Sequence, residues 1–441
     1  MTLGLDDDEL FMSGQPSLET PWLQRAHALG SRFVRLGVRW SGVAPIHRPA
    51  GFDASNPRAT GYRWRTLDAS IQLAESQGER VVLMVFEAPT WAEGAHMPAS
   101  VAHGSWEPKT NSYAAFGHAL ATRYSGHFTV SGTTLPRVRY FQAWNEPNLP
   151  VYLMPQFLET SHGTFIPESP VLYRGLLNAF YGAVKKVQPD SVVLSAGTAP
   201  YGDTPGVGQG RMYPLTFLDS LFCLTSALRP LPCPTLPHLD AMDHHPYSNT
   251  PLAGAQVPTN VGVPQLGRIY RIIRAAERAR HVLPVGPKPL WITEIDWTAA
   301  PPTATSLALQ AHYLALGLYV LWRQGVSHVF WFEIQDPLDS PNSFADAGLY
   351  FNGGQAKPAA AAYHFPFVTI RFRKKYLIMW GRAPAAGAVV IERSVGTTWK
   401  PVLHLRTTPG GIFYASRRFN AKWVLRAREG TQVSPSFTIP N

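Results

Sequence analysis

Short apolar runs alternate with longer amphipathic stretches through the first 335 residues. Seven strand-length runs stand out: RFVRLGVRW from Arg32, ERVVLMVFEAP from Glu79, RVRYFQAWNEP from Arg137, SVVLSAGTAP from Ser191, LDAMDHHPY from Leu239, PLWITEIDW from Pro289 and VSHVFWFEIQD from Val326. They recur about every fifty residues, with helix-like segments between them, such as LYRGLLNAFYGAVKKV from Leu172, QLGRIYRIIRAAERARHV from Gln265 and SLALQAHYLALGLYVLWRQG from Ser306. In the second of these, Leu266, Ile269, Ile273 and Ala276 recur at helical spacing and the charged residues take the other side. Alternation of this kind predicts parallel strands joined by crossover helices. Seven visible units predict a closed (β/α)8 TIM barrel over an open sheet. The first strand has only TLGL before Asp6 to draw on, so a truncated or ragged strand is expected there.

After AKPAAAAYHF, which reads as a closing helix, the period changes. YLIMWG, AVVIERS, WKPVLHLRT, GIFYASRRF, KWVLRAR and PSFTI are strand-length runs separated by turn residues, the pattern of a small antiparallel β-sandwich. The expected division is an α/β barrel domain over residues 1–365 and a basic β-sandwich domain over 366–441. One connection, Asn148 to Ser169, is far longer than a usual barrel loop and is expected to wall a binding site.

Composition narrows the class. With 45% hydrophobic and 15% charged residues the chain can bury a large core, which excludes a disordered protein. No apolar stretch reaches the roughly 18 residues of a membrane span. The net charge of +10 is unevenly placed: from Phe365 onward there are 13 Lys and Arg against 2 Asp and Glu, leaving 26 against 27 in the rest. That asymmetry is either a solvated basic face or a contact for an anionic polymer or cell surface, with no specific nucleic acid expected. The two cysteines, Cys223 and Cys233, lie ten positions apart and could close a small loop, which would suit an oxidising compartment. No Cys/His spacing resembles a metal site, so no metal is expected. The start, MTLGLDDDEL, lacks the pattern of a signal peptide. The expectation is a secreted or cell-surface protein whose leader is absent from this chain, with a cytoplasmic one as the alternative.

Two strand ends carry the chemistry. The fourth ends in Trp144-Asn145-Glu146-Pro147-Asn148 and the seventh in Ile292-Thr293-Glu294-Ile295-Asp296-Trp297. Barrel active sites sit at the C-terminal rim, where these two strands lie nearly opposite, so both glutamates should face one pocket. Facing carboxyl groups with aromatics nearby suit cleavage of a glycosidic bond, one as acid/base and one as nucleophile. On the second strand, alternation puts Phe33, Arg35 and Gly37 on one face and Val34, Leu36, Val38 and Trp40 on the other. Arg35 therefore points into the barrel, where contact with Glu294 would keep that carboxylate ionised.

The Asn-Glu-Pro after the fourth strand, with a glutamate ending the seventh, resembles glycoside hydrolase clan A, with a texture nearest families thirty-nine and five, over about residues 3 to 365. The resemblance implies a retaining enzyme acting on a carbohydrate substrate without cofactor or metal, with Glu146 as general acid/base and Glu294 as nucleophile. Carboxyl groups of a retaining pair lie about 5–5.5 Å apart. It implies that Asn145 binds the sugar 2-hydroxyl, and that Arg35 occupies a spot where family members place an arginine. A His-x-Tyr in the clan selects His245 to bind sugar and Tyr247 to hold the nucleophile, leaving His244 a structural part. Trp331 would be the floor under the reacting sugar, and Trp91 would stack on a neighbouring one. Trp40, Glu87, Glu333 and Asp336 also end strands and are expected near the pocket. The rival expectation is a non-hydrolytic carbohydrate-binding or surface-adhesion protein on the same barrel.

Overall fold

The structure is a computed structural model that describes residues 1–205, 210–299, 303–337, 346–372, 376–418 and 423–438. Eight parallel strands form one sheet: β1 (Thr2–Asp6), β2 (Phe33–Arg39), β3 (Arg80–Phe86), β4 (Tyr140–Ala143), β5 (Val192–Leu194), β6 (Met242–Asp243), β7 (Leu290–Ile292) and β8 (His328–Phe332). β8 pairs with β1 from Thr2↔His328 to Asp6↔Phe332. Between β5 and β6 the ring closes through single bonds, Asp240 N–H to Val193 O at 2.8 Å and Ser195 N–H to Ala241 O at 3.0 Å. The fold is the expected TIM barrel. The first strand corrects the expectation: TLGLD is a regular five-residue strand, buried along most of its length. Short parallel strands suffice because both faces are covered and each residue is paired.

The barrel interior is layered. At the N-terminal end Phe33, Val82, Leu194, Ala241, Trp291 and Phe330 form an apolar plug, with His328 stacked on Trp291 at 3.6 Å between ring centres. The layer above it is polar, built from Arg35, Gln142, Asp243 and Thr293, all buried. Polar groups at that depth must satisfy one another, so this layer is a hydrogen-bonded platform for whatever stands on the C-terminal rim. Outward-facing residues of the same strands, Val34, Leu36 and Val38 on β2 among them, join the large core shared with the helices.

After the closing helix Pro358–His364 come two antiparallel sheets. One contains β9 (Phe367–Phe372), β10 (Tyr376–Arg382) and β13 (Ile412–Arg418). The other contains β11 (Ala388–Val395), β12 (Thr398–Arg406), β14 (Val424–Glu429), β15 (Gln432–Val433) and β16 (Phe437–Thr438). Phe367, Leu377, Met379, Phe413, Val389, Ile391 and Leu425 fill the space between them. The far face of the first sheet, with Val368, Ile378, Trp380 and Ile412, belongs to the barrel's own core. Trp380 lies 5.8 Å from Tyr319 and 5.9 Å from Trp322 of helix Ala304–Arg323. Cys223 and Cys233 form a disulfide.

Candidate active site

The ends of β4 and β7 meet over the polar platform. Past β4 the backbone leaves the strand through two residues at positive φ, Trp144 at 77° and Glu146 at 33°. Side chains avoid that region, at a cost of order 1–3 kcal/mol each. Surrounding bonds hold it in place: Trp144 N–H to Val85 O at 2.9 Å, Glu146 N–H to Gly197 O at 3.0 Å, and Leu149 N–H to Glu146 O at 2.9 Å. The result turns the Glu146 carboxyl inward at 9% exposure. Glu294 follows β7 directly, and a carboxylate oxygen of each glutamate and His245 Nδ1 all lie within 4.8 Å of one another.

Arg35 is the hub beneath Glu294. At 1% exposure it donates to Glu294 Oε1 at 2.7 Å, Asp6 Oδ2 at 2.5 Å, Gln142 Oε1 at 2.7 Å and Asn145 Oδ1 at 2.8 Å. Burial opposes its charge, but Asp6, Glu294 and Asp243 outweigh that and raise its pKa further. Tyr247 donates to the other oxygen of Glu294 at 3.1 Å. The bond from Arg35 also orients Asn145, whose oxygen is occupied and whose side chain also bonds the Tyr152 hydroxyl at the cleft wall.

His245 stands elsewhere than expected. It has no exposure and lies under both glutamates, 2.9 Å from Glu146 Oε1 through Nδ1 and 3.0 Å from Thr293 Oγ1 through Nε2, so it supports the pair instead of meeting a sugar. Thr293 donates to Asp243, which leaves its oxygen free to accept from His245 Nε2–H and fixes that end of the ring. Nδ1 and Glu146 then share one proton, so the two titrate as a pair. Burial opposes the imidazolium, yet Glu294, Asp243 and Glu146 prevail and push His245 up to about 10. Glu146 is raised above its ordinary value, by burial first and by Glu294, against the lowering effect of His245. Gly197 has no side chain because a Cβ there would run into the His245 ring. His244 faces away, between Thr198 Oγ1 at 2.8 Å and Val261 O at 3.0 Å, and burial pushes it down to about 4, a neutral strand-to-strand link.

The two tryptophans are corrections. Trp331 is 3% exposed and faces the helices, its indole N–H on Ala347 O at 3.0 Å and its ring 6.0 Å from Trp297. Strand β8 sends His328, Phe330 and Phe332 inward, so Phe332 lines the cleft in its place. Trp91 sits in an aromatic cluster with Trp40 and Phe52 and donates to Pro45 O at 2.9 Å, outside the cleft lining. Trp40 is fully buried in that same cluster, and Asp336 pairs with buried Lys357 at 2.6 Å, so neither reaches the cleft. Glu87 and Glu333 do line it.

The cleft itself encloses about 450 Å³ above the barrel mouth. Part of the wall comes from the long loop after β4 through Val151 and Tyr152, the adjoining part from the loop after β3 through Ala102, His103 and Gly104. The two loops are tied by Met154 N–H to Ser105 O at 2.8 Å and Glu107 N–H to Met154 O at 2.9 Å. Sequence reasoning missed Gln142, Asp243, Thr293 and Asp6, which carry the platform. Their signal was a polar residue on the inward-facing register of an otherwise apolar strand. Glu146, His245 and Glu294 converge closely enough to hold a divalent ion, but a metal would have to displace the proton that His245 and Glu146 share.

No protein-family model matches the chain, and no curated protein is similar to it in sequence. Solved structures are similar to it in shape. A family 39 glycoside hydrolase from the gut symbiont Bacteroides cellulosilyticus WH2 superposes with a TM-score of 0.56 at 20% identity, covering 92% of this chain and 79% of that one. The barrel has the glycosidase fold. A glucosidase from Croceicoccus marinus gives 0.54 at 13% identity over 94% of this chain and 92% of its own. A β-xylosidase from Caulobacter crescentus gives 0.52 at 14% identity over 95% and 93%. The likeness in shape is one of fold.

Proposed function

We propose that the chain is a retaining glycoside hydrolase that cleaves an O-glycosidic bond by double displacement, with Glu146 as acid/base and Glu294 as nucleophile. The observation that carries this is the pair itself: a carboxylate oxygen of Glu146, past the end of β4, within 4.8 Å of one of Glu294, which lines the cleft. Such a spacing leaves no room for the water that an inverting enzyme places between its carboxyl groups. Arg35 and Tyr247 hold Glu294 as an acceptor-only anion aimed upward, the form a nucleophile needs. Glu146, raised by burial, holds with His245 the shared proton that it gives the departing oxygen. Once Glu294 becomes an ester its charge is gone, Glu146 loses the repulsion that adds to the effect of its burial, and it can take a proton from the attacking water. Asn145 would meet the 2-hydroxyl, and Phe332 would lie under the ring. Neighbours in shape act on glucosides and xylosides by their names, which supports a carbohydrate substrate here.

In the same reading residues 1–365 form the catalytic unit and 366–441 a basic unit that contacts an anionic polymer or cell surface, supported by the exposed Lys400, Arg406, Arg417 and Arg418. The disulfide supports secretion into an oxidising compartment. The test is hydrolysis of a panel of aryl glycosides by wild type, Glu294→Gln and Glu146→Ala. Loss by at least about 1,000-fold in the first, with recovery of the second by azide on an activated substrate, is expected. A well-folded Glu294→Gln chain with undiminished turnover would overturn the assignment.

A further inference from the structure

The cleft is lined by carboxylates far beyond the two that the proposed reaction uses. Asp6, Asp8, Glu9, Glu87 and Glu333 join Glu294 around it, against Arg35, Arg39 and His103. Each of those cations is already committed. Arg35 makes all its bonds inside the barrel, Arg39 pairs with Glu87 at 2.5 Å, and His103 pairs with Glu93 at 3.1 Å. Each cation in the described lining thus already faces a carboxylate, and the carboxylates outnumber them.

The negative charge is built in. Asp8 reaches over the barrel mouth because residue 37 is glycine: a Cβ there would run into Asp8 Oδ2. In its place the Gly37 N–H donates to Asp8 Oδ1 at 2.8 Å. Asp8 and Glu9 are both exposed at the cleft; Asp8 feels Arg35 and Arg39, but makes no ion pair with either. Burial first, then Asp7, Asp6 and Glu9, push Glu333 up to about 9, so this carboxyl is neutral at pH 7 and the charge at the mouth rests on Asp8, Glu9, Glu87 and Glu294. A sugar carboxylate entering this space would meet an excess of like charge, with every cation already facing a carboxylate, which disfavours it. Hydroxyl and ammonium groups, which donate to carboxylates, would be welcomed.

We propose that the cleft takes a sugar bearing hydroxyl or ammonium groups and no carboxylate, and that Asp8 and Glu9 set this preference. The inference rests on the glycosidase reading for its substrate and narrows it. The test uses matched pairs: 4-nitrophenyl glucoside with glucuronide, and galactoside with galacturonide, as substrates, and the corresponding aryl thioglycosides, which resist cleavage, as ligands in calorimetry.

Wild type is expected to favour the neutral member by about 100-fold or more in kcat/KM, with the same order in binding. The double variant Asp8→Asn/Glu9→Gln, whose amide oxygen at position 8 still accepts from Gly37 N–H, is expected to narrow that ratio about tenfold. Asp8→Asn alone repeats the test should the double variant melt early. Equal or tighter binding of the carboxylated member, an unchanged ratio in the variants, or no binding of either member overturns the inference. Binding in the stated order with no turnover of any substrate leaves it standing and sinks the hydrolase reading instead.

Discussion

Arg35 shows how much of this site hangs on one side chain. Four acceptors surround its guanidinium, and three of them, Asp6, Glu294 and Asn145, belong to the rim. Removing the cation strands buried carboxylates, which costs about 3–5 kcal/mol. Arg35→Met is expected to lower the thermal midpoint and to cut kcat by about 100-fold or more, and Arg35→Lys to rescue little, since an ammonium cannot span that fork. Alternation along β2 made this residue legible, because an arginine on the inward face of a strand has only partners inside the barrel to satisfy it. The same rule applied to β8 would have favoured Phe332 over Trp331. There the likeness of one tryptophan outweighed the two-residue period. Phe332→Ala is accordingly expected to lower kcat/KM with little loss of stability. Trp331→Ala should instead cost about 3–5 kcal/mol, as for other buried aromatics, with catalysis in the surviving fold less affected. Melting curves beside steady-state kinetics separate the two.

At the level of elements, the strand and helix order was legible from period alone, because both faces of each barrel strand are buried and the runs are continuously apolar. Strand β1 was harder to read, since TLGL is short and its acidic successor looked like a break. Its pairing with β8 over five residues supplies what its length does not. Loop structure was not legible. Hydrophobic period says nothing about a segment whose backbone is satisfied by other loops, as Met154 accepts from Glu107 N–H and donates to Ser105 O. The sheet of β9, β10 and β13 is the other surprise. Its sequence announced a sandwich, but a period of two cannot reveal that the outer face is apolar for the barrel's sake. Trp380→Ala is expected to destabilise the whole chain by about 3–5 kcal/mol, through the contacts with Tyr319 and Trp322, and to leave KM near its wild-type value. A stable variant would mean that the sheet is not held by this face.

At the scale of the whole molecule, the acidic mouth makes stability depend on pH. Burial pushes Asp7 up to about 7; burial and then Glu294 push Asp296 to about 7, and Glu333 reaches about 9. In the unfolded chain such groups titrate near about 4, so the folded protein holds protons that the unfolded one has released. His245, raised to about 10 from 6.5, adds to this in the same direction. The resulting stability is present below about pH 4 for the acids and below about pH 6.5 for the histidine, and is lost as pH rises through 7 to 10. The thermal midpoint is expected to fall from pH 6 to pH 10, and a midpoint that rises over that interval would contradict the proton-rich core. Activity should show a bell-shaped profile whose alkaline limb, set by the Glu146 and His245 pair, lies above the ordinary range of a glutamate. Because the sheet of β9, β10 and β13 shares the barrel core, a chain cut after residue 365 is expected to aggregate.

The central claim is that Glu294 forms a bond to the sugar. The measurement that tests it most directly is the mass of the protein after reaction with an activated 2-deoxy-2-fluoro glycoside of the preferred sugar, followed by location of the label in a digest. The account predicts one covalently held sugar per chain, carried by the peptide containing Glu294 and absent from Glu294→Gln. A label on a different residue, or steady turnover of that reagent's parent glycoside by Glu294→Gln, would contradict it.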